Sequence, residues 1–160
     1  MMPLKDHLDF PDKVKFFILT KQFNELRNFV NFSLCKLMAQ ELLTPILQSN
    51  HKPIIKYVFN NACCYSSRFN NYLVIHYVCH HETVESLKIL IKNGVDLECE
   101  TYMLKNRPIH LACKHGSLDM IKLLICNGVT LDCKNIYGET PIDFATLSKS
   151  QEVINFFNSL

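Results

Sequence analysis

Cysteine and histidine are the residue types in this chain that could do chemistry, since both bind zinc and both serve in hydrolases. They cluster twice, as Cys79-His80-His81 and as Cys113-Lys114-His115, and each cluster follows a further histidine, His76 or His110. Zinc draws its ligands to about 2.0–2.3 Å from the ion, and a cysteine hydrolase brings a cysteine, a histidine and an orienting acid or amide into one cleft. Either function therefore depends on whether the folded chain brings these residues together.

The second cluster lies in a stretch, residues 107–128, that predicts a helix, a tight turn and a second, antiparallel helix. Pro108 suits the first position of a helix, where its missing N–H would have no partner, and His115-Gly116 ends that helix. Asn127-Gly128 ends the second helix with a residue that adopts the left-handed conformation. The apolar stripe of the second helix consists of Leu118, Ile121, Leu124 and Ile125. Such a hairpin is too apolar to cover its own faces, so we expect neighbouring copies.

Copies of this hairpin recur along the chain. Asp143 follows His110 by 33 residues, and His110 follows His76 by 34. A period of about 33 residues with a T-P-L-H-x-A core is typical of ankyrin repeats. The core stands here as Arg107-Pro108-Ile109-His110-Leu111-Ala112 and as Thr140-Pro141-Ile142-Asp143-Phe144-Ala145. The chain therefore resembles the ankyrin-repeat family, specifically over residues 70–160 and in degenerate form before them.

The resemblance implies an all-α fold, an ankyrin-like solenoid of about five helical hairpins with atypical N-terminal units. We expect one domain over residues 1–160, with units at about 1–32, 33–68, 69–101, 102–134 and 135–160. The resemblance also implies that His76 and His110 are structural and bridge backbone groups of adjacent repeats near the start of each first helix. Asp143 takes that position in the last unit, where an acid suits a helix start, and Arg107 replaces the usual Thr.

The earlier units depart further from the family pattern. In the third unit Leu73-Val74 replaces Thr-Pro, Val78 replaces the small Ala, and Glu82 replaces the Gly of the turn. Before it, helical patterns cover residues 11–20, 23–32, 33–48 and 53–61, and Pro45 is expected to bend or shorten one of these helices. Residues 62–71 are predicted to be a connecting loop.

The repeat period argues against zinc binding and catalysis. The same offset pairs Cys79 with Cys113 and Cys99 with Cys133, at positions where a thiol serves as a small hydrophobe. Equivalent residues of stacked repeats lie about 8–10 Å apart, too far to share a zinc ion, and the chain has no C-x-x-C pair. We therefore predict no enzyme, no metal and no cofactor, with a Cys/His metal-binding protein as the less favoured alternative.

Composition indicates a folded, intracellular chain. The 160 residues are 48% hydrophobic and 20% charged, which excludes a disordered tail. No apolar run approaches the roughly 20 residues of a membrane span, and residues 1–10 do not resemble a signal peptide. We expect the eight cysteines to be reduced thiols, and the location to be cytoplasmic or, less favoured, nuclear. The net charge of +2 gives no electrostatic case for nucleic acid or acidic membranes.

Function must then come from the surface, and the resemblance implies a non-enzymatic protein–protein interaction module. Such solenoids bind a partner through a concave face of loop tips and first helices. The positions carried over to that face are Asn71, His80, His81, Met103, Leu104, Asn106, Lys114, His115, Ile136, Tyr137 and Glu139. Large apolar residues at loop tips are candidate anchors for a partner, unless Leu104 and Ile136 fold back against the neighbouring hairpin.

Two further expectations concern this surface and the C-terminal end. Because His80, His81 and His115 are assigned to the binding face, binding could change below about pH 6.5. The alternative to capturing another protein is a self-associating scaffold, since an apolar C-terminal face around Phe156 and Phe157 could stack end to end.

Overall fold

The computed structural model describes residues 40–48, 53, 55, 56, 58, 68, 69, 72–115 and 117–160. The first predicted unit, at residues 1–32, lies outside the described residues. Within the described residues there are seven helices and one pair of two-residue strands. In chain order they are α1 (Gln40–Gln48), β1 (Arg68–Phe69), β2 (Tyr72–Leu73), α2 (Val74–His80), α3 (Val84–Lys92), α4 (Pro108–His115), α5 (Leu118–Cys126), α6 (Pro141–Ser148) and α7 (Gln151–Asn158).

The helices form hairpins that stack in sequence order. Helices α2 and α3 form one pair, which we call the third repeat; α4 and α5 form the fourth repeat, and α6 and α7 the fifth. The first helix of each pair packs on the next, α2 on α4 and α4 on α6, and α3 packs on α5. Helix α1 packs on α2 and so begins the described stack. The predicted all-α helical-hairpin repeat fold is confirmed, while the division of residues 1–160 into five units stays a prediction.

Apolar side chains at helical spacing fill the interfaces between these hairpins. One continuous core runs from α1 to α7. Its fully buried members include Ile46 of α1, Ile75 of α2, Leu90 of α3, Leu124 of α5 and Val153 of α7. Burying one such side chain is worth about 1.5–3 kcal/mol, so the contacts between neighbours carry most of the stability. No helix among the described residues is long and apolar enough to cross a membrane.

The second unit is partly described and agrees with its helical pattern. Helix α1 contains Pro45, which lies within the helix and does not end it. Ile55 and Val58, in the predicted partner helix, are helical and buried, as expected. The prediction of a loop over residues 62–71 was incomplete, because β1 pairs antiparallel with β2 and brings Arg68 opposite Leu73. The short strands lack the alternating pattern that reveals longer ones.

In the third and fifth repeats, the turn between the two helices uses a left-handed residue. Glu82 after α2 has a φ of 54°, and Lys149 after α6 has a φ of 57°. The repeat offset aligns both with Gly116. A residue with a Cβ pays a steric cost in this conformation that glycine avoids.

Glu82→Gly is therefore expected to raise the free energy of unfolding by about 1 kcal/mol. The left-handed conformation costs a side-chain-bearing residue about 1–2 kcal/mol, and the greater freedom of unfolded glycine offsets part of the gain. Urea unfolding at pH 7.5 measures the change. Glu85→Gly, in the first turn of α3, is the matched control and should instead cost about 1 kcal/mol. If both variants lose stability equally, the backbone at Glu82 is not strained.

Candidate partner-binding surface

Two loops between successive repeats are closed by the same kind of backbone hydrogen bond. In the loop between α3 and α4, the backbone N–H of Thr101 donates to the carbonyl of Asn106 over 2.9 Å. In the loop between α5 and α6, the N–H of Asn135 donates to the carbonyl of Glu139 over 3.0 Å. The N–H of Ile136 donates to the Leu104 carbonyl over 3.1 Å, so the two loops are joined through their backbones.

Large apolar side chains stand at the tips of these loops. Tyr102, Met103 and Tyr137 expose 66%, 62% and 71% of their surface, Ile136 exposes 54% and Leu104 exposes 37%. We call these five residues the loop-tip patch. Neither Leu104 nor Ile136 is folded away against the neighbouring hairpin, although Leu104 is the less exposed of the two. The patch therefore presents adjacent apolar groups on loops that are fixed to each other.

Two of the residues assigned to this face, Asn106 and Glu139, bond to Asn135 through their side chains. Asn106 was expected to be exposed, and this was wrong: it is only 4% exposed, and its Oδ1 accepts a hydrogen bond from Asn135 Nδ2 at 3.0 Å. Glu139 is half-buried, and its carboxylate accepts a second bond from Asn135 Nδ2 at 2.8 Å. Both residues therefore help to hold the loops in place, while the assignment of half-buried Glu139 to the binding face stays a prediction. Asn71, the first position assigned to the face, lies outside the described residues.

Asn135 is the centre of this buried network, and the sequence did not single it out. Its Oδ1 accepts the backbone N–H groups of Tyr137 at 2.9 Å and Glu139 at 3.0 Å. Its Nδ2 donates to Asn106 and Glu139, so one side chain ties its own loop and the preceding loop together. Asparagine commonly hydrogen-bonds backbone groups a few residues on, but the partner 29 residues away follows only from the stacking of the repeats.

A second connection between the loops is charged. The Glu98 carboxylate accepts hydrogen bonds from the backbone N–H and the hydroxyl of Thr130, at 2.6 and 2.8 Å, and pairs with the Arg107 guanidinium. Burial alone would raise the pKa of Glu98, but the bonds from Thr130 and the charge of Arg107 outweigh it and lower the pKa. Arg107, at the position where the family has Thr, thus holds the Glu98 carboxylate, which also accepts hydrogen bonds from Thr130 in the following loop.

The first helices begin with a repeated side-chain-to-backbone bond. His76 Nδ1 accepts the N–H of Leu73 at 3.0 Å, and His110 Nδ1 accepts the N–H of Arg107 at 3.1 Å. In the fifth repeat the Asp143 carboxylate accepts the N–H of Thr140 at 2.7 Å. Residues equivalent by sequence offset thus play one role, as the resemblance implied.

The other ring nitrogen of each histidine reaches the following loop. His76 Nε2 lies 3.3 Å from the Cys99 carbonyl, and His110 Nε2 lies 3.3 Å from the Glu139 carbonyl. Since Nδ1 accepts a hydrogen bond, Nε2 carries the proton and donates to the carbonyl. Burial lowers the pKa of His110, and the Arg107 charge lowers it further, so the neutral form is favoured. The predicted bridge between adjacent repeats is confirmed for His110, which joins Arg107 of its own unit to Glu139 of the next. His76 also bonds two backbone groups, but both lie within its own unit, residues 69–101.

Three other histidines meet at the opposite ends of the first helices. The rings of His80 and His115 are 4.4 Å apart between centroids, and those of His80 and His81 are 5.0 Å apart. We call these three residues the histidine cluster; exposed Lys114 precedes His115 on α4. Helix α4, eight residues or roughly 12 Å long at 1.5 Å per residue, lies between the cluster and the loop that carries part of the loop-tip patch. The residues assigned to one face therefore form two groups.

The cysteines of the two sequence clusters lie in the core. Cys79 and Cys113 are fully buried, and burial raises the pKa of both thiols. A buried neutral thiol is neither a good nucleophile nor a ready metal ligand. Among the described residues, no group of three or more His, Cys, Asp or Glu side chains is arranged to hold a metal ion. In the described structure these two cysteines therefore pack as small apolar side chains.

The helical hairpins stack, are joined through their loops, and carry a histidine or aspartate at one repeated position near the start of each first helix. These features define a solenoid of α-hairpin repeats. The family model described as ankyrin repeats (3 copies) matches residues 42–135 and, again, residues 75–158. The chain belongs to the ankyrin-repeat family, since these matches span most of its length. The search of curated proteins found no match to the chain. Ankyrin repeats are generally protein–protein interaction modules, and the family is typically non-enzymatic.

Proposed function

We propose that this chain is a non-enzymatic module that binds another protein on its concave face, with the loop-tip patch as the main anchor. The observation that carries the proposal is the adjacency of five exposed, large apolar side chains on two backbone-joined loops. Aromatic and methionine side chains are enriched at protein interfaces, and contiguous apolar patches on a surface mark such sites.

The loops that carry the patch are ordered before any partner binds. The Asn135 network and the bond from Ile136 to Leu104 hold both tips, and the Glu98–Thr130 bonds join the same two loops nearer their starts. Binding to a preordered loop avoids much of the entropy cost of fixing it. We therefore expect affinity to depend on the side chains at the tips more than on their backbone.

The triple variant Met103→Ser, Leu104→Ser and Tyr137→Ser tests this proposal. Removing three anchors should weaken partner binding at least about 30-fold, which corresponds to about 2 kcal/mol of interface energy. Affinity capture from the native cell with mass spectrometry identifies the partner on the wild-type chain. Titration calorimetry with the purified partner then measures the affinity of each variant.

Leu160→Ser is the matched control, since Leu160 is 69% exposed and lies outside the patch. It should bind like the wild type. Thermal melts must show that the triple variant stays folded, with the small loss of stability expected from half-exposed positions. A folded triple variant that keeps wild-type affinity would exclude the patch as the anchor.

Lys114 and the histidine cluster are proposed as a secondary contact on the same face, about one helix length from the anchor. The self-associating scaffold is less favoured. Phe156 and Phe157 are half-buried and pack against the core, and the Lys122 ammonium lies 5.6 Å from the Phe156 ring, so less apolar surface remains for end-to-end stacking. An intracellular, cytoplasmic location stays a prediction from the sequence.

A further inference from the structure

The histidine cluster joins the turn of the third repeat to the end of α4 in the fourth. His80 is exposed on the last turn of α2, His81 follows it in the turn, and His115 is the last residue of α4. The His80 and His115 rings are tilted by 55° at 4.4 Å, a distance at which neutral rings pack well. The Nε2 atom of His115 is buried and has no hydrogen-bond partner among the described residues.

The charged groups around the cluster would not stabilise an added proton, because those that act on His115 are all basic. The groups acting on His115 are His80 and His81 across the repeat junction and Lys114 on its own helix, and all of them are basic. Glu82, the acid nearest in sequence, is exposed. Asp119 in α5 and Lys149 after α6 are exposed charges on the elements packed against α4. Within the described chain, no ion pair links an acid to any of the three histidines.

We propose that the histidine cluster is an acid-sensitive contact between the third and fourth repeats, which opens the ends of α2 and α4 when the histidines gain protons. A proton on His115 adds a positive charge beside the Lys114 cation, and on Nε2 that proton would be a buried donor without an acceptor. Separating the two helix ends lets water reach His115 Nε2 and more of the half-buried His81 ring. This inference concerns the stack itself and does not depend on the partner proposed above.

The direction of the pH effect follows from proton linkage. Burial lowers the pKa of His115 and of His81, and the neighbouring basic groups lower both further. The opened state, with ordinary histidines of pKa about 6.5, therefore binds more protons than the closed state between that value and the lowered ones. The contact is fully stabilising above about pH 6.5 and weakens as the pH falls through this window. The opening constant should rise by up to about tenfold per pH unit for each proton taken up.

Amide hydrogen exchange across pH 5.0–7.5, corrected for intrinsic rates, measures this opening. The reporters are the amides of His81, Thr83 and Ser117, which donate to the carbonyls of Tyr77, Val78 and Ala112 beside the cluster. The matched controls are the amides of Gly128 and Val129, in the turn that ends α5. We expect the protection of the reporters to fall steeply below pH 6.5 while that of the controls stays level. Equal changes in both sets, or none in either, would overturn the proposal.

His80→Gln removes one of the basic rings that act on His115, at an exposed position, so the variant is expected to fold. The pH dependence of reporter protection should become shallower, and the NMR titration midpoint of His115 should move up towards its ordinary value. Lys92→Gln, an exposed cation at the far end of α3, is the control and should leave both measurements unchanged. If His80→Gln behaves like the wild type in both, the cluster does not control the opening.

Discussion

Leu124→Asp is expected to unfold the fourth and fifth repeats, with the largest loss of stability of any change considered. Leu124 is fully buried on α5 in the continuous core. The substitution removes a side chain that contributes about 1.5–3 kcal/mol and places an unpaired carboxylate in the core, which costs several kcal/mol more. Stabilities of whole domains are about 5–15 kcal/mol, so the folded state of these repeats should no longer dominate.

Circular dichroism melts and urea unfolding at pH 7.5 measure this loss. Stacked repeats depend on their neighbours, so we expect helical signal to be lost beyond α5 itself. Asn127→Asp adds the same charge to an exposed residue just after α5 and should cost at most about 1 kcal/mol. A Leu124→Asp protein that melts like the wild type would contradict the assignment of Leu124 to the core between repeats.

Asn135→Ala is expected to lower the free energy of unfolding by about 2–3 kcal/mol. The change removes the acceptor of two backbone N–H groups, those of Tyr137 and Glu139, and the donor to Asn106 and Glu139. Buried polar groups left without partners cost about 1–3 kcal/mol each, and water entering the loop offsets part of that cost.

Urea unfolding measures the loss, and hydrogen exchange at the Tyr137 and Glu139 amides locates it. Asn127→Ala is the matched control: Asn127 is exposed, and its Nδ2 donates to the Leu123 carbonyl over 2.8 Å. The control should lose at most about 1 kcal/mol. Equal losses in the two variants would mean that the buried network contributes no more than one exposed hydrogen bond.

The fourth repeat could be predicted from sequence almost residue by residue. Its helices begin and end where Pro108 and the Asn127-Gly128 pair indicate, and Gly128 has a φ of 84°. These signals are local, because proline and glycine act on the backbone at their own position. The offset of 33 or 34 residues then aligned His76 with His110, and the family resemblance implied the same structural role for both.

The surface was harder to predict, because exposure at a loop depends on contacts with the neighbouring loop. Asn106 lies beside exposed residues in sequence but pairs with Asn135, and Glu98 bonds to Thr130 32 residues away. Nothing in a local pattern distinguishes these polar residues from solvent-exposed ones. The contact of His80 with His115 was likewise not predicted, since it joins two residues that the sequence only assigned to one face.

The loop between the third and fourth repeats is one residue longer than the next, and the extra residue is accommodated at the tip. Thr101 and Asn106 close this loop as Asn135 and Glu139 close the shorter one, and Lys105 adopts a left-handed φ of 56° where the shorter loop has Gly138. Helices α4 and α6 both span eight residues, and α3 and α5 both span nine. Insertions at a tip can therefore leave the scaffold intact, so recognition can diversify through tip length without a new fold.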